Sequence, residues 1–154
     1  MHPEDGDAES TEENIWDLTM DINVKGLLYV SKAIIPQMTE RNSGHIINIG
    51  SSAGREVYPK GNVYCASKHA VDALNQGMRL DLNKHGIRVG AINPGLVETE
   101  FSDVRFKGDT ERAEKVYQGF QPLTPKDIAE ILMIDVSYFW THLSEPIKTR
   151  SPVM

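Results

Sequence analysis

Two short runs, His45-Ile46-Ile47-Asn48-Ile49-Gly50 and Ile87-Arg88-Val89-Gly90-Ala91-Ile92, decide the fold. Both are rich in β-branched residues, and turn residues bound them: Asn42-Ser43-Gly44 before the first and Asn93-Pro94-Gly95 after the second. Each therefore reads as a short buried strand. Between them Val63 to Lys84 carries Ala66, Ala70, Leu74 and Met78 near one stripe, the spacing of a helix, with Gly86 as its stop. Ser51 to Asn62 reads as the loop leading into that helix. Strand, helix and strand joined by tight turns make a βαβ unit, whose strands run parallel through a right-handed crossover.

Upstream, Ser10 and Glu13 have capping-box spacing. Ile15, Leu18, Ile22, Leu27, Leu28, Val30, Ile34 and Ile35 then recur at helical intervals, predicting one long helix to about Arg41. Pro36 should bend or loosen its last turns. Residues 1–10 are acidic, with no apolar anchor, and read as a disordered arm. Downstream, the chain is loop-like through Gly108, with a short helix expected at Thr110–Tyr117. Thr124-Pro125-Lys126-Asp127 opens another helix, with Thr as N-cap and Pro in the first turn. The final stretch from His142 shows no periodicity.

The net charge of −6 comes from the N-terminal arm, because Glu4, Asp5, Asp7, Glu9, Glu12, Glu13 and Asp17 stand there without a Lys or Arg. The body is close to neutral, which speaks against a nucleic-acid partner. No apolar stretch reaches the roughly 18–20 residues that span a bilayer, and no leader pattern opens the chain, so the expectation is a cytoplasmic protein with no membrane partner. A single cysteine, Cys65, excludes an internal disulfide, and it is expected to pack inside its helix. His2, His45, His69, His85 and His142 lack ligand spacing, so no metal is expected.

The chemistry lies in Tyr64-Cys65-Ala66-Ser67-Lys68. Residues four apart share a helix face, so the phenol and the ammonium can meet in one pocket. A nearby cation favours phenolate and lowers a tyrosine pKa from about 10, giving a proton donor and acceptor usable near neutrality. Alone the pair also fits a solvated helix face. Its neighbours change the reading: Ser51 and Asn93-Pro94-Gly95 end the two strands, where open parallel sheets bind ligands.

In order and spacing, several segments resemble the short-chain dehydrogenase/reductase family. They are Asp21-Ile22-Asn23-Val24-Lys25-Gly26, the run from Gly44 through Ser51-Ser52-Ala53-Gly54, Tyr64 to Lys68, and Gly86-Ile87-Arg88-Val89 leading to Asn93-Pro94-Gly95-Leu96-Val97-Glu98-Thr99. Gly54 to Pro59 and Glu98 to Asp109 are most similar to its NADP-dependent 3-hydroxy acid (serine) dehydrogenases.

The resemblance implies an α/β fold, an incomplete Rossmann-like doubly wound parallel sheet lacking its N-terminal glycine-rich half. No Gly-x-x-x-Gly-x-Gly or Gly-x-Gly-x-x-Gly stands in the chain. Residues 11–133 form the family portion and 134–154 a divergent tail. The strand at 45–49 is then expected to expose an unpaired edge and an uncovered face.

By the same resemblance, Tyr64 exchanges a proton with substrate, Lys68 lowers the phenol pKa and bonds the nicotinamide ribose, and Ser51 orients the substrate oxygen. Asn23 holds a water, and Pro94, Gly95, Val97 and Thr99 line the cofactor, NADP with NAD as alternative. A carboxylate on the substrate calls for a guanidinium, so Arg55 and Arg105 are the candidates, each also readable as a solvated surface arginine. The implied reaction is hydride transfer between NADP(H) and a small hydroxy acid or alcohol, by a homo-oligomer. The alternative is a truncated, non-catalytic product that only associates with homologous subunits.

Overall fold

The two β-branched runs pair as their flanking turns dictate. In the computed structural model of the chain, which describes residues 13–99 and 121–142, β1 (Gly44–Ile49) and β2 (Ile87–Ile92) run parallel. Their register runs from Gly44 opposite Ile87 to Ile49 opposite Ile92. The acidic arm with Ser10, the segment holding Arg105 and the expected helix at Thr110–Tyr117, and the residues after His142 lie outside the described residues.

Side chains alternate along a strand, so Ile46 and Asn48 share one face with Ile87 and Val89, and all four are buried. Ile46, Leu82, Ile87 and Val89 form the core cluster, against which Ile34, Ile35, Met38 and Met78 pack. Each such aliphatic side chain removed from water contributes roughly 1.5–3 kcal/mol. Ile49 on the opposite face is half exposed, so the buried row lies on one face of the described sheet. Among the described residues the sheet has two strands, as expected for an incomplete doubly wound domain.

The crossover helix α3 (Asn62–Leu82) ends in a short 3-10 turn, Asn83–His85. Gly86 then takes a left-handed φ of 67° and closes it, its N–H donating to the Asn83 carbonyl at 3.0 Å. A side chain there would be strained by that φ, which is why glycine serves as the stop.

The upstream helix differs from the single rod that its periodicity predicts. It is α1 (Glu13–Met20), a π-helical turn (Asp21–Lys25), and α2 (Gly26–Glu40), with the Gly26 N–H reaching the Asp21 carbonyl five residues back. Helical structure continues through Pro36 to Glu40. Past β2, Val97 and Leu123 form a parallel bridge, with Glu98 N–H donating to Leu123 O at 2.7 Å and Leu123 N–H to Leu96 O at 3.1 Å.

The last helix, α4 (Pro125–His142), begins where Thr124 predicts. The Asp127 carboxylate accepts from both the main chain and the hydroxyl of Thr124, at 2.7 and 2.8 Å. The Asp127 N–H returns a bond to that hydroxyl at 3.3 Å. These bonds hold the Asp127 carboxyl below its ordinary pKa. The helix runs unbroken across Met133, where the family portion was expected to end.

Candidate active site

Backbone pairing continues beyond both strands and shapes the rim. Gly50 N–H donates to Ile92 O at 2.8 Å and Ser52 N–H to Pro94 O at 2.9 Å, so the two exit loops leave the sheet side by side. Ser51 lies between these bonds in extended backbone, and its Oγ accepts from Ala53 N–H at 3.1 Å, capping the 3-10 turn Ser52–Gly54. The turn then meets α3 with no room to spare. A Cβ on Gly54 would lie 2.8 Å from the Lys68 carbonyl oxygen, so a residue without a side chain is required there. Ser51 is thus fixed to the helix that carries Tyr64 and Lys68.

Those two side chains come together as their spacing predicts. Lys68 Nζ lies 5.8 Å from the centroid of the Tyr64 ring and 3.5 Å from the Ile49 carbonyl, the last of β1. Burial lowers the Lys68 pKa from its ordinary 10.5.

Asn23 reaches the same centre from the π-helical turn. Its Nδ2 donates to Ser67 Oγ at 3.0 Å, and Ser67 Oγ donates to the Tyr64 carbonyl at 2.7 Å. Sequence reasoning passed over Ser67. A serine in the middle of a helix either faces water or bonds a carbonyl in the preceding turn, and that choice was the available signal. It also missed a buried pair one layer deeper, Asn48 Nδ2 donating to Asn75 Oδ1 at 2.9 Å, which ties β1 to α3.

The remaining candidates divide. Pro94 is part of the rim through its carbonyl, Gly95 follows it exposed, Val97 makes the bridge to Leu123, and Thr99 ends this described segment. Arg55 points to α3 instead, where its Nη2 lies 3.5 Å from Asp72 Oδ1. Gln76 Nε2 donates to the other oxygen of that carboxylate at 2.6 Å. Arg105 lies outside the described residues. Cys65 is buried as expected, and no cluster of metal-ligating side chains occurs among the described residues. No helix among them is long and apolar enough to cross a membrane.

Known proteins resemble the chain in sequence and fold. The sequence model of the family described as short chain dehydrogenase matches residues 2–110. The NADP-dependent 3-hydroxy acid dehydrogenase YdfG of Escherichia coli K12 is 53% identical over 116 residues, 75% of this chain and 47% of the relative. The NADP-dependent 3-hydroxy acid dehydrogenase of Schizosaccharomyces pombe is 45% identical over 111 residues, 72% of this chain and 43% of that one. Among solved structures, the closed form of a serine dehydrogenase complexed with NADP+ superposes with a TM-score of 0.79 at 45% identity, over 92% of this chain and 55% of that one. The chain spans about half the length of the curated relatives it matches. With the family model matching residues 2–110, most of its length, the chain belongs to the short-chain dehydrogenases.

Proposed function

We propose that the chain supplies the proton-handling residues of an oxidoreductase acting on a small hydroxy acid or alcohol, a 3-hydroxy acid such as serine foremost, with NADP(H). One observation carries the reading: the partly buried Lys68 ammonium lies 5.8 Å from the Tyr64 ring centroid, on the helix face that clamps the Ser51 turn.

In this reading Tyr64 Oη gives or takes the proton of the substrate oxygen, and Ser51 Oγ bonds and orients that oxygen. Lys68 holds the phenol near the phenolate form. Its fit to a dinucleotide rests on the same ammonium, which has three donors and is partly withdrawn from water. Sugar hydroxyls are suitable acceptors, with Pro94, Gly95, Val97 and Thr99 lining the rest. The bound cofactor supplies or receives the hydride. Asn23 keeps a water within reach of Lys68 for proton return to solvent. NADP is favoured over NAD because the 3-hydroxy acid dehydrogenases at 53% and 45% identity are NADP-dependent by name. The substrate carboxylate pairs with Arg105, or with Arg55 after it leaves Asp72. A single buried thiol and this cofactor suit the reducing cytoplasm.

A second reading has its own observation. Leu18, Ile22, Tyr29 and Val30 are more than half exposed on the upstream helices, as is Leu80 on α3, an apolar surface suited to homologous subunits. A chain with that surface can assemble with homologous subunits without turning over substrate. NADPH fluorescence titration of the purified chain separates the two. Saturable binding that Lys68→Ala weakens at least tenfold supports the oxidoreductase; no binding at millimolar NADPH supports the non-catalytic partner.

A further inference from the structure

Ser67 has no exposed surface, although it is a polar residue within a helix. Its hydroxyl is used twice: the proton goes to the Tyr64 carbonyl at 2.7 Å, and a lone pair accepts the Asn23 amide at 3.0 Å. Both partners are in places that need holding. Asn23 lies in the π-helical turn, a departure from regular helix that occurs mostly as isolated bulges near functional sites. Tyr64 lies in the first turn of α3, where the Asn62 side chain accepts from Val63 N–H at 2.6 Å and the Gly61 carbonyl accepts from Cys65 N–H at 2.7 Å. Even so, the first turn of a helix is where N–H groups lack intrahelical partners and where helices fray.

We infer that Ser67 is a positioning residue, its hydroxyl fixing the backbone of Tyr64 against the π-helical turn through Asn23. The consequence for catalysis rests on the function proposed above, but the positioning itself does not. Moving the Tyr64 carbonyl re-aims the phenol relative to Lys68, and freeing the Asn23 amide removes the bond between the two helical segments. A serine that merely filled space would do neither.

The test is nuclear magnetic resonance of the full chain without cofactor, reading the Asn23 side-chain amide and the Tyr64 ring carbon that bears oxygen. Tyr64→Phe assigns the ring signal. Ser67→Ala is expected to move the Asn23 amide toward the position of a water-exposed amide and to shift the Tyr64 ring signal, with Ile46 and Val89 methyls unmoved. Ser67→Thr, which keeps the hydroxyl, is expected to restore both toward wild type. Asn23→Ala, approached from the other side, is expected to shift the Tyr64 ring in the same sense, with the double variant adding nothing further.

Either reporter staying at its wild-type position in Ser67→Ala overturns the inference. If that variant does not fold, an unmoved Tyr64 ring in Asn23→Ala overturns it. Failure of the functional reading looks different: no saturable NADPH binding by the wild-type chain, whatever Ser67 does.

Discussion

Helices α2 and α3 feed the same hydrophobic cluster from the same side of the strands, yet they are held there by different means. α3 buries Cys65, Ser67, Val71, Asn75 and Leu82, and two of these are tied by directed bonds, Ser67 to Asn23 and Asn75 to Asn48. α2 fully buries only Ser31, and its anchoring is the undirected packing of Ile34, Ile35 and Met38, while Leu28, Tyr29 and Val30 face outward. Apolar contact fixes that a helix packs, and buried polar bonds fix where along its length it packs. The helix that must place a phenol and an ammonium has the second kind of attachment. The helix with its apolar residues turned outward has the first.

The largest effect that sharpens this contrast is expected at the centre of the site. Tyr64→Phe keeps the ring and removes the proton, so turnover of a 3-hydroxy acid should fall about 10²–10⁴-fold, with the melting temperature unchanged. Equal turnover by the variant would take the proton transfer away from α3.

Next comes the directed attachment itself. Asn75→Ala leaves the buried Asn48 amide without its partner, a loss of roughly 1–3 kcal/mol, read as a lower urea midpoint at constant slope. A change below the error of the midpoint would mean that the Asn48–Asn75 bond does not hold α3 to β1. On the other helix, Tyr29→Glu should alter stability by no more than about 0.5 kcal/mol, since the ring is 68% exposed. If the second reading holds and copies associate through this face, it should nevertheless abolish that association in sedimentation velocity. Persistent association would place the subunit contact elsewhere.

The smallest expected effect is one of slope. Burial lowers the Lys68 pKa below 10.5, so the unfolded chain binds that proton more tightly than the folded one. The resulting destabilisation is complete below the folded pKa and is relieved as pH rises through it toward 10.5. Lys68→Met should remove this rise in melting temperature on the alkaline side and leave a slightly more stable chain at neutral pH. A wild-type melting curve that is flat over that window would contradict the burial.

The same contrast explains what could be read without coordinates. β1, β2 and α3 lie within one or two residues of where turn residues and periodicity put them, and the Thr124 cap is where its motif places it. These signals are local. Tyr64 and Lys68 were legible for the same reason, one helical turn apart. The π-helical turn was not, because one i→i+5 turn shifts an apolar pattern by a single residue. The doublets Leu27/Leu28 and Ile34/Ile35 absorb that shift.

Pairings across the fold left no local trace either. Arg55 could be read as a candidate for a substrate carboxylate or as a solvated surface arginine; only the fold reveals Asp72 on α3, 3.5 Å from its exposed side chain. Asn48, polar within an apolar run, could have raised the question of its partner; only the crossover geometry answers with Asn75.

The bridge between Val97 and Leu123 has an evolutionary consequence. Two main-chain bonds join Leu96 and Glu98, before residues 100–120, to Leu123 after them, so the chain is held on both sides of that stretch. Loop closure grows only logarithmically in cost, about 0.6 kcal/mol for each doubling of length. Descendants of this sequence can therefore lengthen, shorten or rewrite residues 100–120 while the strands and the tyrosine helix keep their places. Sequence change there falls on a stretch whose two ends are already held.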